Sequence, residues 1–551
     1  MTIWIPIGLA GVLLLAAVVL LSRRHDRRAS TPGAQPTGLP LTSRRAFLAT
    51  LAGAAALTAV GGAAYYLSSS RGSEGGTGRV GGLAAFPSSG SDASGSDASS
   101  TASAGKATAT ATRRQPNVLL ITVDTLRADK VGAYGYAMAD TPNLDRLASE
   151  GTRFSRVLTQ IPQTNPSHAA LFTGLYPSTN GVLVHMVDKL KPGAQTIASV
   201  FSDAGYKTTG IYSWVSLDPQ FCGFDRGFQS YNGYIVNRNG VFANSQLESL
   251  AAIYRQLKSA LPIVSTSNIQ LGDNYEETMD GRADVTTAAA LAWLDGYKST
   301  DPFMTWIHYY DPHYPYSPPA PYDHILGLKY SGTIDGSIET VHKIQQKQLT
   351  PTPDDIARLF ELYQGEIAFA DAQIGKLFDQ LRTRGLLDNT IVAITGDHGE
   401  SFAEHGDWFH GWNLWQTETG VPLILRYPSR ISAGRVNDTP VQLVDLLPTL
   451  ADLARIRPKQ SVQGVSLVPL LDGTDDGSQR AAFTELSTGP GVSLVTGNWT
   501  MIKDLSNGQE QLYNLLDDSA ENSDLSKAEP TVAANLSARL GDLAKVAGVV
   551  K

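Results

Sequence analysis

The chain has 551 residues and only one cysteine, Cys222. A single thiol cannot form an intrachain disulfide, so a fold held together by disulfides is excluded. A zinc site built on several cysteines is excluded for the same reason. The cellular compartment therefore has to be inferred from the N-terminal segment rather than from cysteine usage.

An excess of positive charge is also absent, because the formal net charge is −8. Proteins that bind nucleic acid carry a basic face, so nucleic acid is excluded as a general partner. An anionic substrate would have to be attracted by a local site. Hydrophobic residues make up 42% of the chain. That is enough for the core of one large domain or two ordinary ones, provided that the polar stretches lie outside it.

The N-terminal segment predicts a membrane anchor. Residues Ile3 to Leu21 form a nearly unbroken apolar run, which at about 1.5 Å per residue can cross a hydrocarbon core of about 30 Å. We therefore predict a transmembrane helix at residues 1–22, with a buried core helix as the alternative. The arginine-rich segment 23–45 then stays cytoplasmic by the positive-inside rule.

A second apolar segment, residues 46–67, follows the pair Arg44-Arg45. The run TSRRAFL resembles a twin-arginine export signal, and an ordinary second transmembrane helix is the alternative. Both interpretations place the rest of the chain outside the cytoplasm, attached to the cell membrane. Residues 68–112 are rich in Ser, Gly, Ala and Thr, cannot bury enough apolar surface to fold, and are predicted to form a flexible tether.

From residue 113 the chain alternates between predicted strands and helices. Short continuous apolar runs predict buried strands, and one long amphipathic stretch, Ile356 to Leu381, predicts a helix. The predicted strands are Val118–Val123, Phe303–Tyr310, Ile391–Thr395 and Pro422–Leu425. The pattern indicates an α/β domain over residues 113–480, with a mostly parallel sheet and helices on both faces.

Two further regions are distinguished by their pattern. Residues 481–551 are predicted to form a C-terminal subdomain with a small antiparallel sheet. Its predicted strands are Ser493–Val495, Trp499–Lys503 and Gln511–Asn514. The weakly patterned stretch from Ile235 to Arg282 is predicted to be an insertion over the site.

Three predicted strands run into potential ligands. The first ends in Asp124, the second continues into Asp311 and His313, and the third ends in Asp397-His398. Ligands bind at the carboxyl ends of the strands in open α/β sheets. Carboxylates with an imidazole suit a divalent metal such as Mn, Zn or Mg, which would polarise an ester and activate a hydroxyl.

The hydroxyl is supplied by the segment TNPSHAAL, which begins at Thr164. Pro166 and Ser167 mark the start of a helix. Thr164 would then lie at a helix N-terminus, where developing negative charge is stabilised. We predict that Thr164 is the nucleophile and also contacts the metal; a plain helix cap is the alternative.

The quoted segments occur in a characteristic order. They are NVLLITVDTLRAD, TPNLDRLASEGTRF, TNPSHAALFTGLYP, DPHYPYSPP, GEIAFADAQIG, TGDHGESFAEHG and QLYNLLDD, within residues 117–525. This series resembles a sulfatase domain of the alkaline phosphatase superfamily. The resemblance implies that fold, an ester hydrolase activity and a divalent metal, which could be Mn, Zn, Mg or Ca.

The resemblance assigns roles residue by residue. Asp124, Asp397 and His398 match metal ligands of the family, whereas Thr125 replaces a second Asp ligand of many sulfatases. Thr164 stands where sulfatases carry the Cys or Ser that becomes formylglycine.

Three histidines are assigned catalytic roles by the same comparison. His168 stands at the position of a family arginine. His313 matches a histidine that contacts the oxyanion or the leaving group. His410 lies near the place of a family lysine with a similar role.

Thr164 determines which ester is expected. A hydrated formylglycine has a second hydroxyl that expels sulfate by elimination, whereas threonine has only one hydroxyl. A threonyl phosphate can instead be cleaved by attack at phosphorus. We therefore expect hydrolysis of a phosphodiester or phosphomonoester, with one metal. The alternatives are a true sulfatase, a phospho-group transferase acting on envelope lipids or polymers, and a non-catalytic binding module.

Overall fold

The computed structural model describes residues 115–233, 236–237, 240–241, 282–487 and 489–550. Five predicted segments lie wholly or mostly outside these residues: the transmembrane helix at 1–22, the basic segment at 23–45, the apolar segment at 46–67, the tether at 68–112 and the insertion at 235–282. Within the described part of the chain, no helix combines the length and the apolar character that crossing a bilayer requires.

An eight-stranded sheet forms the centre of this part of the chain. Its strands, in spatial order, are β13 (Arg435–Asn437), β2 (Thr152–Phe154), β12 (Leu423–Arg426), β9 (Thr390–Gly396), β1 (Asn117–Val123), β8 (Phe303–Tyr309), β4 (Lys207–Tyr212) and β5 (Ser230–Gly233). Strand β12 runs antiparallel to its neighbours β9 and β2, and the other adjacent pairs are parallel. The prediction of a mostly parallel sheet is confirmed.

The apolar runs of the central strands fill two cores, one on each face of the sheet. In β1, Val118 and Leu120 belong to one buried cluster, while Leu119, Ile121 and Val123 belong to the other. Alternate residues of a strand point to opposite faces. A strand covered on both faces therefore has to be apolar throughout, which is why its sequence is a continuous run of hydrophobic residues.

Helices cover both faces, as predicted. The face that carries Val118 packs against α2 (Thr164–Thr173), α4 (Ile197–Asp203), α5 (Pro219–Cys222), α10 (Leu446–Leu453) and α11 (Val468–Asp472). The opposite face packs against α1 (Pro142–Glu150), α6 (Ala283–Gly296), α7 (Ile338–Gln345) and α8 (Pro353–Thr383). The remaining short helices are α3 (Pro177–Asn180) and α9 (Gln416–Thr419).

The long helix α8 contains the predicted helix at 356–381 and begins three residues earlier. The side chains of Thr352 and Asp355 each accept the other's backbone N–H, which satisfies two donors that a helix start would leave unpaired. Pro353 occupies the first turn, where its missing N–H costs nothing. These capping signals explain the earlier start.

The other strands form smaller sheets. The two-stranded pairs are β3 (Val157–Leu158) with β14 (Val441–Gln442), β6 (Val236–Asn237) with β7 (Gly240–Val241), and β10 (Ser401–Phe402) with β11 (Trp408–Phe409). A four-stranded antiparallel sheet near the C-terminus comprises β15 (Ala482–Glu485), β16 (Gly491–Thr496), β17 (Trp499–Asp504) and β18 (Glu510–Asn514). This sheet confirms the predicted one and adds a strand, β15, and it packs against helix α12 (Pro530–Ala547).

Glu521 connects the C-terminal region to α9. Its side chain is 2% exposed, and its Oε2 accepts a hydrogen bond from the backbone N–H of Gln416 at 2.7 Å. Burial raises the pKa of Glu521 from its ordinary 4.5 to about 8. The folded protein thus favours the protonated form, so the stability that Glu521 contributes is lost as the pH rises from about 4.5 towards 8.

We expect Glu521→Gln, which is uncharged at every pH, to increase the free energy of unfolding at pH 8 by roughly 1–3 kcal/mol. The gain should vanish near pH 5, where the wild-type carboxyl is already protonated. Urea denaturation at both pH values measures it. Glu529→Gln, at an exposed position, is the matched control. An equal effect of Glu521→Gln at both pH values would contradict the argument.

Candidate active site

The ends of two neighbouring strands bring Asp124 and Asp397 together. Asp124 follows β1 and Asp397 follows β9, whose last residues, Val123 and Gly396, are paired in parallel. Both carboxylates are fully buried. The backbone N–H of Thr125, a residue with a φ of +53°, donates to Asp397 Oδ1 at 3.1 Å. This bond fixes one oxygen of Asp397 and leaves the other, Oδ2, towards Asp124 and His398.

His398 faces both carboxylates. Its Nδ1–H donates to the carbonyl oxygen of Gly399 at 3.0 Å, which leaves Nε2 without a proton in the neutral ring. That Nε2 lies 3.6 Å from Asp124 Oδ1 and 3.7 Å from Asp397 Oδ2. A carbonyl partner on one ring nitrogen is the usual way in which a metal-binding histidine is oriented.

Thr164 lies at the first position of α2, as predicted. Its Oγ1 is 3.5 Å from His398 Nε2, and the side chain is 2% exposed. The same helix is attached to the ligand segment, because Ser167 Oγ donates to the carbonyl oxygen of Asp397 at 2.7 Å. The structure thus brings together all four residues that the sequence singled out as metal ligands and nucleophile.

These residues fit a divalent cation. Both oxygens of Asp124 and Oδ2 of Asp397 are buried without a hydrogen-bond partner. Burial raises the pKa of Asp124 to about 7, because an unpaired buried carboxylate is costly. A cation among Asp124, Asp397 and His398, whose ligand atoms lie within 4.8 Å of one another, would remove that cost.

His168 is hydrogen-bonded to the backbone of Thr164, the predicted nucleophile. Its Nδ1–H donates to the carbonyl oxygen of Thr164 at 2.8 Å, and its Nε2 accepts from Thr122 Oγ1 at 2.9 Å. Thr122 Oγ1 accepts in turn from Trp306 Nε1 at 3.0 Å. Burial lowers the pKa of His168 to about 4, so the ring is neutral. With both nitrogens engaged, His168 is arranged to hold the backbone of Thr164 in place.

His410 is held by a buried carboxylate. Its Nδ1–H donates to Glu400 Oε1 at 2.9 Å, and Tyr316 donates its hydroxyl to Glu400 Oε2 at 3.0 Å. The ring centroids of His410 and His398 are 4.3 Å apart. In this orientation the neutral ring keeps its Nε2 free to exchange a proton with a reacting group.

His313 lies beside His410, with 5.0 Å between the ring centroids. Its Nδ1–H donates to the carbonyl oxygen of Tyr314 at 2.6 Å, and its ring stacks on Tyr310. Burial lowers the pKa of His313 and of His410 well below 6.5. The structure therefore places His410 beside His398, one of the predicted metal ligands, and His313 beside His410.

The domain that carries this site is similar to proteins of one known family. Residues 116–456, more than half of the chain, match the Sulfatase family model. The chain belongs to the sulfatase family. Residues 403–545 also match the model of the C-terminal part of N-sulphoglucosamine sulphohydrolase, which covers most of the C-terminal subdomain of this sulfatase-family chain.

Individual relatives support the family and the fold. An arylsulfatase of Clostridium perfringens is 28% identical over 447 residues, which cover 75% of this chain and 91% of the relative. An uncharacterized Escherichia coli sulfatase, YidJ, is 28% identical over 362 residues, 64% of this chain and 71% of the relative. The solved phosphonate monoester hydrolase of Agrobacterium radiobacter superposes with a TM-score of 0.60 at 22% identity, covering 78% of this chain and 96% of that one.

One carboxylate, Asp311, and the single cysteine, Cys222, lie apart from the predicted cation ligands of this sulfatase-family protein. Asp311, one of the strand-end candidates, does not join the cation ligands: its Oδ2 accepts the backbone N–H of Ala283 at 2.7 Å and so caps α6. That part of the strand-end prediction was wrong, because a carboxylate after a strand also suits a helix start. Cys222 is buried in the core at the end of α5.

Sequence reasoning missed three residues of the site. His308 lies on β8, and its Nε2 is 3.3 Å from Asp124 Oδ2. Glu400 orients His410, and His185 Nδ1 accepts from the backbone N–H of Asn165 at 3.4 Å. A histidine inside the apolar run FMTWIHYY was the signal for His308, since a buried imidazole requires a partner.

Burial raises the pKa of Glu400 to about 8. Glu400→Gln is expected to lower kcat by about 10- to 100-fold with little change in KM, because a glutamine cannot become the anion that stabilises His410 when its ring takes up a proton. Steady-state kinetics at neutral pH measures the split. Glu404→Gln in the same loop, where Glu404 pairs with Arg127 at 2.7 Å, is the matched control. A rise in KM with unchanged kcat would show that Glu400 shapes binding instead.

Proposed function

We propose that this sulfatase-family hydrolase cleaves phosphate-type esters, phosphodiesters or phosphomonoesters, through Thr164. The observation that supports the proposal is the position of the Thr164 hydroxyl. It lies at the N-terminus of α2, 3.5 Å from His398 Nε2 and at the edge of the buried carboxylate pair. A positive helix end and nearby ligands for a cation both favour the ionised, nucleophilic form of a hydroxyl.

The side chain of Thr164 favours phosphorus over sulfur. A threonyl ester has no second hydroxyl that could expel the sulfate or phosphate group by elimination. Its release requires attack by water on the central atom, and a threonyl phosphate permits that reaction. The phosphonate monoester hydrolases among the structural neighbours are consistent with cleavage at phosphorus on this fold.

A divalent cation held by Asp124, Asp397, His398 and Thr164 would polarise the ester as a Lewis acid. Thr164 Oγ1 forms a bond to phosphorus while the bond from phosphorus to the leaving oxygen breaks, which yields a phosphothreonine. The Thr164 proton passes through His410 or His313 to the leaving oxygen. Water then attacks phosphorus, and the Thr164 oxygen leaves and is reprotonated.

A substrate panel tests the proposal. The full chain is assayed with an aryl phosphodiester, an aryl phosphate monoester, an aryl phosphonate monoester and an aryl sulfate, each carrying the same leaving group. Phosphorus esters are expected to give the highest kcat/KM. Turnover of the aryl sulfate alone would support the second candidate, a true sulfatase, which the 28% identity to an arylsulfatase favours.

The site of action is a separate proposal that rests on the sequence alone. The apolar N-terminal segments and the arginines between them support a catalytic domain tethered outside the cytoplasm, where envelope lipids or polymers carry suitable esters. A transferase that passes the phospho-group to an acceptor alcohol would use the same phosphothreonine. A reporter active only outside the cytoplasm, fused after residue 112, should be active; a silent reporter would exclude this location.

A further inference from the structure

The His410 loop, residues 410–413, lies between β11 and α9 and has an irregular backbone. An N–H group that is removed from water needs a partner even where no regular element supplies one. In this loop one side chain supplies it. Glu418 Oε2 accepts three consecutive backbone N–H groups, at 2.8, 3.1 and 3.4 Å, from Gly411, Trp412 and Asn413. The backbone after His410 is therefore held by a single carboxyl group.

Glu418 is also bonded to the segment of the predicted metal ligands. Its Oε1 accepts from the side-chain amide of Asn413 and from Ser401 Oγ, the latter at 3.4 Å. Its own carbonyl oxygen accepts the backbone N–H of Gly399, the residue after His398, at 2.7 Å. Glu418 thus connects the segment that carries His398 with the His410 loop.

The His410 loop also contacts the residue that precedes the predicted nucleophile. Gly411 has a φ of +92°, which suits glycine, and a Cβ at this position would lie 2.9 Å from Gln163 Nε2. The contact with Gln163 and the bonds to Glu418 together fix where the loop lies relative to Thr164.

The ring of His410 is oriented separately from its backbone. Its Nδ1–H donates to Glu400 Oε1, and this bond orients the imidazole without fixing the main chain from which it projects. A general acid has to lie within about 2.6–3.2 Å of the oxygen that it protonates. A displacement of about 1 Å can cost a reaction 100-fold. Proton transfer by His410 therefore requires a backbone that is held as firmly as the ring.

We propose that Glu418 is a positioning residue for proton transfer, which holds His410 Nε2 at the leaving oxygen through the backbone of the His410 loop. Glu418 acts on the loop and not on the ester. The proposal rests on the role of His410 in the proposed function. As the bond from the central atom to the leaving oxygen breaks, the proton released by Thr164 reaches that oxygen from His410 Nε2. Phosphorus and sulfate esters both release such an oxygen.

A leaving-group series tests the proposal. The full chain is assayed with a phenyl and a 4-nitrophenyl ester of the same acid, and kcat/KM, which covers the steps up to departure of the leaving group, is compared. Glu418→Gln replaces one acceptor oxygen by a donor and leaves no cavity. It should lower kcat/KM by about 10- to 100-fold for the phenyl ester, whose leaving oxygen is more basic, and by less than about threefold for the 4-nitrophenyl ester.

Two further variants separate positioning from a merely structural role. Thr419→Ala, in the same helix, is the matched control, because Thr419 Oγ1 donates to the carbonyl oxygens of Leu414 and Trp415, outside the His410 loop. It should keep the wild-type ratio between the two esters. In a His410→Ala background, Glu418→Gln should cause no further loss, since the effects of two residues that act through one another are not additive.

Equal losses with both leaving groups would overturn the proposal, as would a further loss in the His410→Ala background. A His410→Ala variant with the wild-type ratio would overturn it together with the role of His410. If Glu418→Gln does not fold, Asn413→Ala, which removes one bond to Glu418 Oε1, should shift the ratio in the same direction. The series uses whichever ester the substrate panel favours, so failure here is distinguishable from failure of the proposed preference for phosphorus.

Discussion

Thr164→Ala is expected to lower kcat for the preferred ester by more than about 1,000-fold, because it removes the oxygen that attacks the ester in the proposed mechanism. The backbone of Thr164 is held by His168 through the carbonyl oxygen, and this bond does not require the side chain. The fold should therefore survive the change. Steady-state kinetics and thermal unfolding measure the two effects separately.

Two further variants sharpen this prediction. Thr164→Ser keeps a hydroxyl and should retain much of the activity. Thr173→Ala, on the same helix, removes a buried hydroxyl that donates to the carbonyl oxygen of Ala169 and should leave kcat nearly unchanged. A quenched reaction should yield a peptide that carries the phospho-group on Thr164. Turnover by Thr164→Ala at the wild-type rate would mean that water attacks the ester directly.

His398→Asn is expected to weaken binding of a divalent cation by more than about 100-fold, since even outer-sphere partners of metal ligands contribute 10- to 100-fold. Activity should fall in parallel, because the same nitrogen lies 3.5 Å from the Thr164 hydroxyl. Asparagine is smaller than histidine and adds no charge to the buried cluster. Isothermal titration with Mn²⁺ measures the affinity.

His405→Asn is the control for this variant. His405 is an exposed histidine of the loop after the ligands, and its positive φ of 55° suits asparagine. It should bind Mn²⁺ as the wild type does. Full Mn²⁺ affinity in His398→Asn, together with lost activity, would remove His398 from the ligand set and leave it a role in proton transfer.

The central fold could be predicted from sequence because burial on both faces leaves a simple pattern. The strands around Val118, Phe303 and Ile391 were predicted to within one residue at every end. Strand β15 and helix α12 were not predicted. Strand β15 is only four residues long, and its alternation is too brief to identify, while α12 buries a narrow stripe of alanine and leucine.

The site was predictable where a ligand stands at a strand end in a familiar motif, as with Asp124 and Asp397. Contacts between residues on different strands leave no comparable motif in the sequence. His308 reaches Asp124 because β8 pairs with β1 in the register Thr122 to His308, and that register is set by packing of the whole sheet. His168 likewise acquires its partners only when α2 is laid against the ends of the strands.

The positions of the buried acidic and histidine side chains on the strands also matter for protein engineering. Asp124, His308 and Asp397 lie on or directly after three hydrogen-bonded neighbours, β1, β8 and β9. Their separations are therefore determined by strand spacing, which is about 4.7–4.9 Å in any sheet, and not by the loops above. Libraries that randomise those loops should change which ester is accepted while every member inherits the same donor atoms.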